Sequence, residues 1–266
     1  MSRLRSWQMR YGPCDAEKIE AMGNQVGRNP LVSSVSAFFP CYNDAESIGK
    51  MVGDVDKALQ SLVDDYEIIV VNDGSRDGSA LVLADLAEQF PALRVIHHPQ
   101  NRGYGGALIS GFSAATKEWI FYTDGDAQYD AAEVTDLVVA VRPGTDIAQG
   151  WKLGRGDTWY RKIIGRAYHH VVKLLFSLKI RDTDCDFRLF RRELYVTNPL
   201  TSTSGVICVE MMRRFEQAGA WYVEVPVHHY FRPSGKSQFF RAPAIARSAR
   251  QLLALWWRLV VRAKST

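Results

Sequence analysis

Trp119-Ile-Phe-Tyr-Thr-Asp-Gly-Asp-Ala-Gln128 is a short apolar run followed at once by two acids one glycine apart. Residues 119–123 are aromatic or β-branched, the composition of a buried strand. Asp124 and Asp126 then fall where that strand gives way to a loop. Two carboxylates at such a point suit a hard divalent cation, which takes oxygen ligands and is commonly shared with the phosphates of a substrate. An isolated Asp-x-Asp is also what a solvated turn contains. The residues upstream therefore decide the reading.

Working back from Trp119, strands and helices alternate. Residues 32–39 form a Val- and Phe-rich strand stopped by Pro40, and 45–63 carry Ile48, Val52, Val55, Leu59 and Leu62 at helical spacing. Residues 67–71 are a second strand, followed by Asn72-Asp-Gly-Ser75 and a helix over 79–90. A third strand over 93–97 and a third helix over 105–115 lead into 119–123. Three such units predict an α/β fold with a mostly parallel central sheet and helices on both faces. Ligands of such sheets bind beyond the carboxyl ends of the strands. Asn43-Asp44, Asp73-Gly-Ser75 and residues 124–128 all fall at that end.

Downstream, residues 157–178 mix Arg161, Lys162, Arg166 and Lys173 with aliphatic residues at helical spacing. A helix is expected over 208–217, a strand over 221–227 and a terminal helix over 244–261. The chain divides into an extension (1–30), a main domain (31–240) and a C-terminal amphipathic helix (241–266). That last helix, with Trp256-Trp257 among leucines and flanking arginines, has the composition of a packed helix and equally of a membrane-surface anchor.

A chain of 266 residues, 47% hydrophobic, can bury the core of one large or two small domains. The net charge of +4 is mild, but acids crowd between 44 and 157 and bases after 152. An acidic metal site beside a basic surface suits an anionic substrate or anionic lipid. Nucleic acid is disfavoured, because the bases interleave with aliphatics and few aromatics stand by to stack. The four cysteines are scattered, which matches neither a zinc site nor a disulfide framework and points to a reducing compartment. No apolar run follows Arg3 and Arg5, and none reaches the roughly 18 residues of a membrane span. The expectation is a cytoplasmic protein, soluble or peripherally attached to the inner face of the membrane.

Three further loops carry polar chemistry. Asp73-Gly-Ser-Arg-Asp-Gly-Ser79 could present a carboxylate to a nucleobase N–H, or could be a self-capped turn. Asn101-Arg-Gly-Tyr-Gly-Gly106 lacks the spacing and position of a dinucleotide loop, though a helix start of so little bulk can approach a sugar or phosphate. Arg232-Pro-Ser-Gly-Lys-Ser237 offers Arg232, Ser234 and Lys236 to a phosphate, or is a solvated basic turn. The paired histidines at 97–98, 169–170 and 228–229 are poor chelators, since neighbouring side chains diverge.

Together these stretches resemble glycosyltransferase family 2, and within it the polyprenyl-phosphate sugar synthases typified by dolichyl-phosphate mannosyltransferase. The resemblance covers roughly 34–240. Phe39-Pro-Cys-Tyr-Asn-Asp44 is similar to the family's Pro-x-Tyr-Asn-Glu, and residues 70–79 to its nucleobase loop. Asn101-Arg-Gly-x-Gly-Gly-Ala107, Asp124-x-Asp-x-Gln128, Asp182-x-x-x-Asp186-Phe-Arg-Leu-Phe190 and Arg232-x-x-x-Lys236-Ser237 follow in order. Asp182–Phe190 resembles the bactoprenyl-phosphate branch. The resemblance implies a GT-A type nucleotide-binding fold using Mg²⁺ or Mn²⁺. Pro40, Tyr42, Asp44 and Asp73 would hold nucleobase and ribose, with Asp124 also counted among the nucleotide contacts. Asp124, Asp126 and Gln128 would hold the metal on a nucleoside diphosphate sugar. Asp186 and Arg188, with Asp126, would serve the reacting sugar, and Arg232, Ser234 and Lys236 a polyprenyl phosphate. Asp44 stands where the family has Glu, one methylene longer. Many relatives carry C-terminal membrane spans, so attachment here is expected to be peripheral or through a separate membrane protein.

Such a reaction needs charge stabilisation on the leaving phosphate more than a strong base, because a phosphomonoester is already a nucleophile at neutral pH. A hydroxyl acceptor, with Asp186 as base, is the alternative enzyme. A non-catalytic sugar-nucleotide or membrane-binding module is the alternative of another class, against which the intact Asp124, Asp126 and Gln128 count.

Overall fold

The computed structural model describes residues 28–153, 169–183, 185–231 and 242–262. The extension up to residue 27, much of the basic 157–178 segment and the Arg232–Lys236 loop lie outside them. Seven strands among the described residues form one sheet: β1 Ser34–Cys41, β2 Asp65–Asn72, β3 Leu93–His97, β4 Trp119–Thr123, β5 Ile147–Leu153, β6 Phe187–Arg191 and β7 Tyr222–His228, in the order β3-β2-β1-β4-β6-β5-β7. β1 pairs in parallel with β2 and β4, and β2 with β3. β6 enters antiparallel to both β4 and β5, while β5 and β7 are parallel. The sheet is thus mostly parallel, with helices on both faces.

The helices follow their apolar stripes. α1 (Ile48–Leu62) buries Ile48, Met51, Val52, Val55, Leu59 and Leu62, the spacing of one helical face. α2 (Ser79–Gln89) and α4 (Val134–Ala140) share its side of the sheet, over Phe39, Phe121 and Phe187. α3 (Tyr104–Ala114), α6 (Ile207–Gln217) and the terminal helix α7 (Ala242–Trp256) cover the other side, over Phe38, Tyr122 and Phe190. Neighbours in sequence thus feed opposite cores, as the period of two in a strand requires. A short helix α5 (Arg192–Thr197) follows β6 directly.

Three local differences from the sequence reading have physical causes. Pro40 does not stop β1. Pairing with β4 ends at Phe38–Tyr122, so Pro40 has only Val71 of β2 beside it, and a missing N–H is tolerated where one flank is open. α1 begins at Ile48, not at 45, because residues 45–47 form a turn in which Ala45 N donates to Asp77 Oδ2 (3.2 Å) and Ser47 N to Asp44 O (3.1 Å). β5 and α4 went unread, and the antiparallel sense of β6 with them.

Gly111 marks the tightest helix–sheet approach: a Cβ there would lie 2.2 Å from the Phe38 ring, which is itself fully buried. Gly111→Ala is therefore expected to destabilise by about 1–3 kcal/mol through overpacking. Urea denaturation measures this directly, and unchanged stability would mean that the ring has room to move.

Candidate active site

The strand ends of β1, β2 and β4 and the start of β6 meet at one edge of the sheet. There the Asp124-Gly-Asp126 turn is clamped against β1. Ser47 Oγ donates to Gly125 O at 2.7 Å, and a Cβ on Gly125 would sit 2.8 Å from Pro40 O. Asp126 Oδ1 accepts from Gln128 N at 3.1 Å, which closes the turn. Gln128 donates Nε2 to Tyr230 O at 3.3 Å, so its amide oxygen is the atom left for a cation.

Antiparallel β6 brings Asp186 to the same place. Tyr104 OH donates to Asp124 Oδ1 at 2.8 Å, and Tyr122 OH to Asp186 Oδ1 at 3.3 Å. Burial, and then the charges of Asp186 and Asp126, push the Asp124 carboxyl well above the usual carboxylate range. Burial and the Asp186 charge likewise push up the thiol of Cys208, in the first turn of α6. The acids crowd one another with too little positive charge to balance them, and their donors are all hard oxygens. That arrangement fits Mg²⁺ or Mn²⁺. Among the described residues no three acids, histidines or cysteines converge as a self-sufficient cage, which fits a cation that takes the rest of its ligands from phosphate.

Arg188 is 0% exposed. Its Nε donates to Gln149 Oε1 at 2.6 Å, Nη2 to Thr183 O at 3.3 Å, and Nη1 to Tyr122 OH and to Asp186 Oδ1, the last at 3.3 Å. Burial opposes its charge, but Tyr122 and Asp186 outweigh that and hold the guanidinium protonated. All its donors point into the protein, so it orients Asp186 from beneath.

The residues expected to hold a nucleotide lie at the ends of β1 and β2. A cavity of about 400 Å³ opens there, lined by Tyr42, Asn72, Arg76, His97 and Gln100 among others. Asp44 Oδ2 accepts from Tyr42 N (3.0 Å), Asn43 Oδ1 from Arg76 N (2.8 Å) and Ser75 Oγ from Asn43 N (3.0 Å). Asn43 bridges the two loops in a left-handed conformation, φ 59°, which Asn tolerates better than most residues. Pro40 is buried beside this rim in β1. Asp73 is 3% exposed, its Oδ1 accepting from Arg102 N (2.8 Å) and facing His98 Nδ1 (2.6 Å).

The glycine-rich turn before α3 serves the fold. A Cβ on Gly105 would lie 2.2 Å from Ser202 O, and one on Gly103 2.6 Å from Thr203 O, so these glycines admit the chain's own 202–203 segment. Gly105 N donates to Thr203 O at 3.0 Å. Fully buried Glu210 holds that segment, accepting from Ser202 N (2.8 Å), Thr201 Oγ1 (2.9 Å), Arg214 Nε (3.0 Å) and Arg258 Nη2 (3.1 Å). Burial alone would raise the Glu210 carboxyl, but Ser202, Thr201 and Arg214 outweigh it and hold it low.

The sequence reading missed Tyr104, Tyr122, Gln149, His98 and Cys208. Gln149 carried the clearest available signal, a lone amide in the otherwise apolar start of a strand. The His228 ring is taken by Glu133, and His98 by Asp73 and Ser110, so neither pair presents two free imidazoles.

A parallel-rich α/β sheet with acids gathered at its strand ends is a frame that many enzyme classes share, and the comparisons narrow the class. The chain belongs to glycosyl transferase family 2, whose model matches residues 36–197. It is 30% identical over 210 residues, 78% of its length, to the undecaprenyl-phosphate 4-deoxy-4-formamido-L-arabinose transferase of Enterobacter sp. (strain 638). It is 31% identical over 259 residues, 92% of its length, to glycosyltransferase AglD of Haloferax volcanii. These matches span 63% and 41% of the two relatives' own lengths. In fold it is similar to glucosyl-3-phosphoglycerate synthase from Mycobacterium tuberculosis, crystallised with Mn²⁺, UDP and phosphoglyceric acid. That likeness has a TM-score of 0.64 at 18% identity and covers 91% of this chain and 81% of that one. The same enzyme with Mg²⁺ and UDP gives a TM-score of 0.63 at 15% identity, covering 91% and 82%. The family and the GT-A type of fold expected from the motifs are both borne out.

Proposed function

We propose that this chain transfers a sugar from a nucleoside diphosphate sugar to a polyprenyl phosphate at a membrane surface, assisted by a divalent cation. The observation that carries the reading is the crowded Asp124–Asp126–Asp186 group, one strand away from a cavity large enough for a nucleoside. The name of the Enterobacter relative supports the acceptor class.

Tyr42, Asp44, Asp73 and the buried Pro40 would shape the nucleoside pocket, and Asp124, Asp126 and Gln128 would hold Mg²⁺ or Mn²⁺ on the diphosphate. Bound there, the cation would stabilise the charge that builds on the leaving phosphate. Asp186 would face the reacting sugar, held in place by Arg188 and Tyr122. Arg232, Ser234 and Lys236 would clamp the acceptor phosphate. Leu174 is 82% and Trp257 59% exposed, the latter one residue from Arg258; apolar groups beside cations suit an anionic membrane surface. No helix among the described residues is long and apolar enough to cross a membrane.

Purified protein with Mn²⁺, a panel of UDP- and GDP-sugars and polyprenyl phosphate in anionic vesicles is expected to yield lipid-linked sugar, and EDTA to stop it. Neutralising both Arg232 and Lys236 should remove two charge-assisted contacts, each about 1.5–3 kcal/mol, from transfer to lipid phosphate alone. Transfer to a hydroxyl acceptor but never to lipid phosphate would overturn the acceptor assignment.

A further inference from the structure

We propose that Tyr104 is a positioning residue that aims Asp124 at the cation, and that buried Glu210 fixes Tyr104 in place through the 201–203 segment. This rests on the metal-binding role proposed above and names what gives it its geometry. An aspartate carboxylate turns easily about its last bond, whose preference is broad and two-fold. Asp124 needs a restraint more than most, because Asp186 and Asp126 repel it. The Tyr104 hydroxyl supplies one, donating to Oδ1 at 2.8 Å. With Oδ1 engaged, Oδ2 is the oxygen left for a cation. Hydrogen-bond partners of this kind orient metal-ligating carboxylates and tune their hold on the ion.

Tyr104 can aim Asp124 only if its own backbone is fixed. It is the first residue of α3, where the N–H groups have no partner within the helix, and it sits between two glycines. Both glycines rest on the same stretch of chain. A Cβ on Gly103 would lie 2.6 Å from Thr203 O and one on Gly105 2.2 Å from Ser202 O, while Gly105 N donates to Thr203 O at 3.0 Å. The half-buried Tyr104 ring packs against the core that α3 covers.

That stretch is in turn held by one carboxylate. Glu210, 0% exposed, accepts from Ser202 N (2.8 Å), Thr201 Oγ1 (2.9 Å) and Thr201 N (3.3 Å). Arg214 and Arg258 balance its charge at 3.0 and 3.1 Å. Every link from Glu210 to Asp124 is thus a hydrogen bond or a close backbone contact. Slack at Glu210 passes to the 201–203 segment, then to the backbone on either side of Tyr104, and so to the hydroxyl on Asp124.

Tyr104→Phe keeps the ring and deletes the hydroxyl. Calorimetric titration with Mn²⁺ in the presence of UDP is expected to show affinity for the ion lowered about 10–100-fold, while the melting temperature of the ligand-free protein stays close to wild type. Transfer should recover at saturating Mn²⁺, a rescue that general damage to the fold would not permit. Glu210→Gln should also weaken Mn²⁺ binding, and the double variant should bind no worse than the weaker single one, since both act through one hydroxyl. Thr201→Val, which removes one donor to Glu210, completes the same cycle if Glu210→Gln does not fold. Unchanged Mn²⁺ affinity in Tyr104→Phe would overturn the inference and leave the metal site standing. Losses that add in the double variant would strike Glu210 from it. Wild-type protein that binds no Mn²⁺ with UDP would overturn the proposed function as well.

Discussion

Asp126→Asn is expected to lower sugar transfer on the order of 10³-fold, the loss typical when one element of charge stabilisation is removed, while leaving the protein as stable as before or more so. The amide keeps the Oδ1 acceptor that closes the turn onto Gln128 N. It deletes one of the charges that push the Asp124 carboxyl upward. Repulsion in the folded state falls, and so does the hold on a cation. Activity and stability therefore move in opposite directions, as they do where a site is kept for function at the expense of the fold. Paired measurements of transfer and melting temperature read both. Near-normal transfer at ordinary Mn²⁺ would count against the metal assignment.

Arg188→Met is expected to be the most damaging single change in stability, costing about 3–5 kcal/mol, because removing one member of a buried ionic network strands the others. Gln149 Oε1 and Thr183 O lose their guanidinium donors, and Asp186 loses its cationic partner while keeping the Tyr122 hydroxyl. Lysine at this position should rescue little, since a point charge cannot serve three directions as a planar fork does. Denaturant titration measures the loss, and a variant as stable as the wild type would show the network to be dispensable. With Asp186 released, transfer should fall even in the fraction that remains folded.

The first half of the fold was legible in sequence because its signals are local. Each strand from β1 to β4 is a contiguous apolar run, each helix from α1 to α3 a contiguous stripe, and each polar loop follows its own strand. The second half was not. β6 is five residues whose neighbours lie far away in the chain, and no periodicity tells that it runs against β4. Tyr122 reads as one more core aromatic until Arg188 arrives beside it. The glycines at 103 and 105 look like room for a ligand, and only the 202–203 segment shows what fills it. Arg188 and Asp186 were found from motif resemblance, and the full burial of Arg188 could not have been.

The antiparallel entry of β6 also sets an order of events in folding. The parallel strands β1, β2 and β3 pair with their neighbours in the chain, each across one short helical crossover, whereas β4 returns to β1, Val35 opposite Trp119. The contact between Tyr122 and Arg188 closes a separation of 66 residues, and such long closures come late because their entropy must be met before their contacts exist. The cavity at the ends of β1 and β2, proposed above to take a nucleoside, therefore forms before Asp186, proposed to face the sugar, is brought into place. A chain caught between these stages holds that cavity without Asp186 beside Asp124, and the acids gather only when the non-local strands β4 and β6 are both in place.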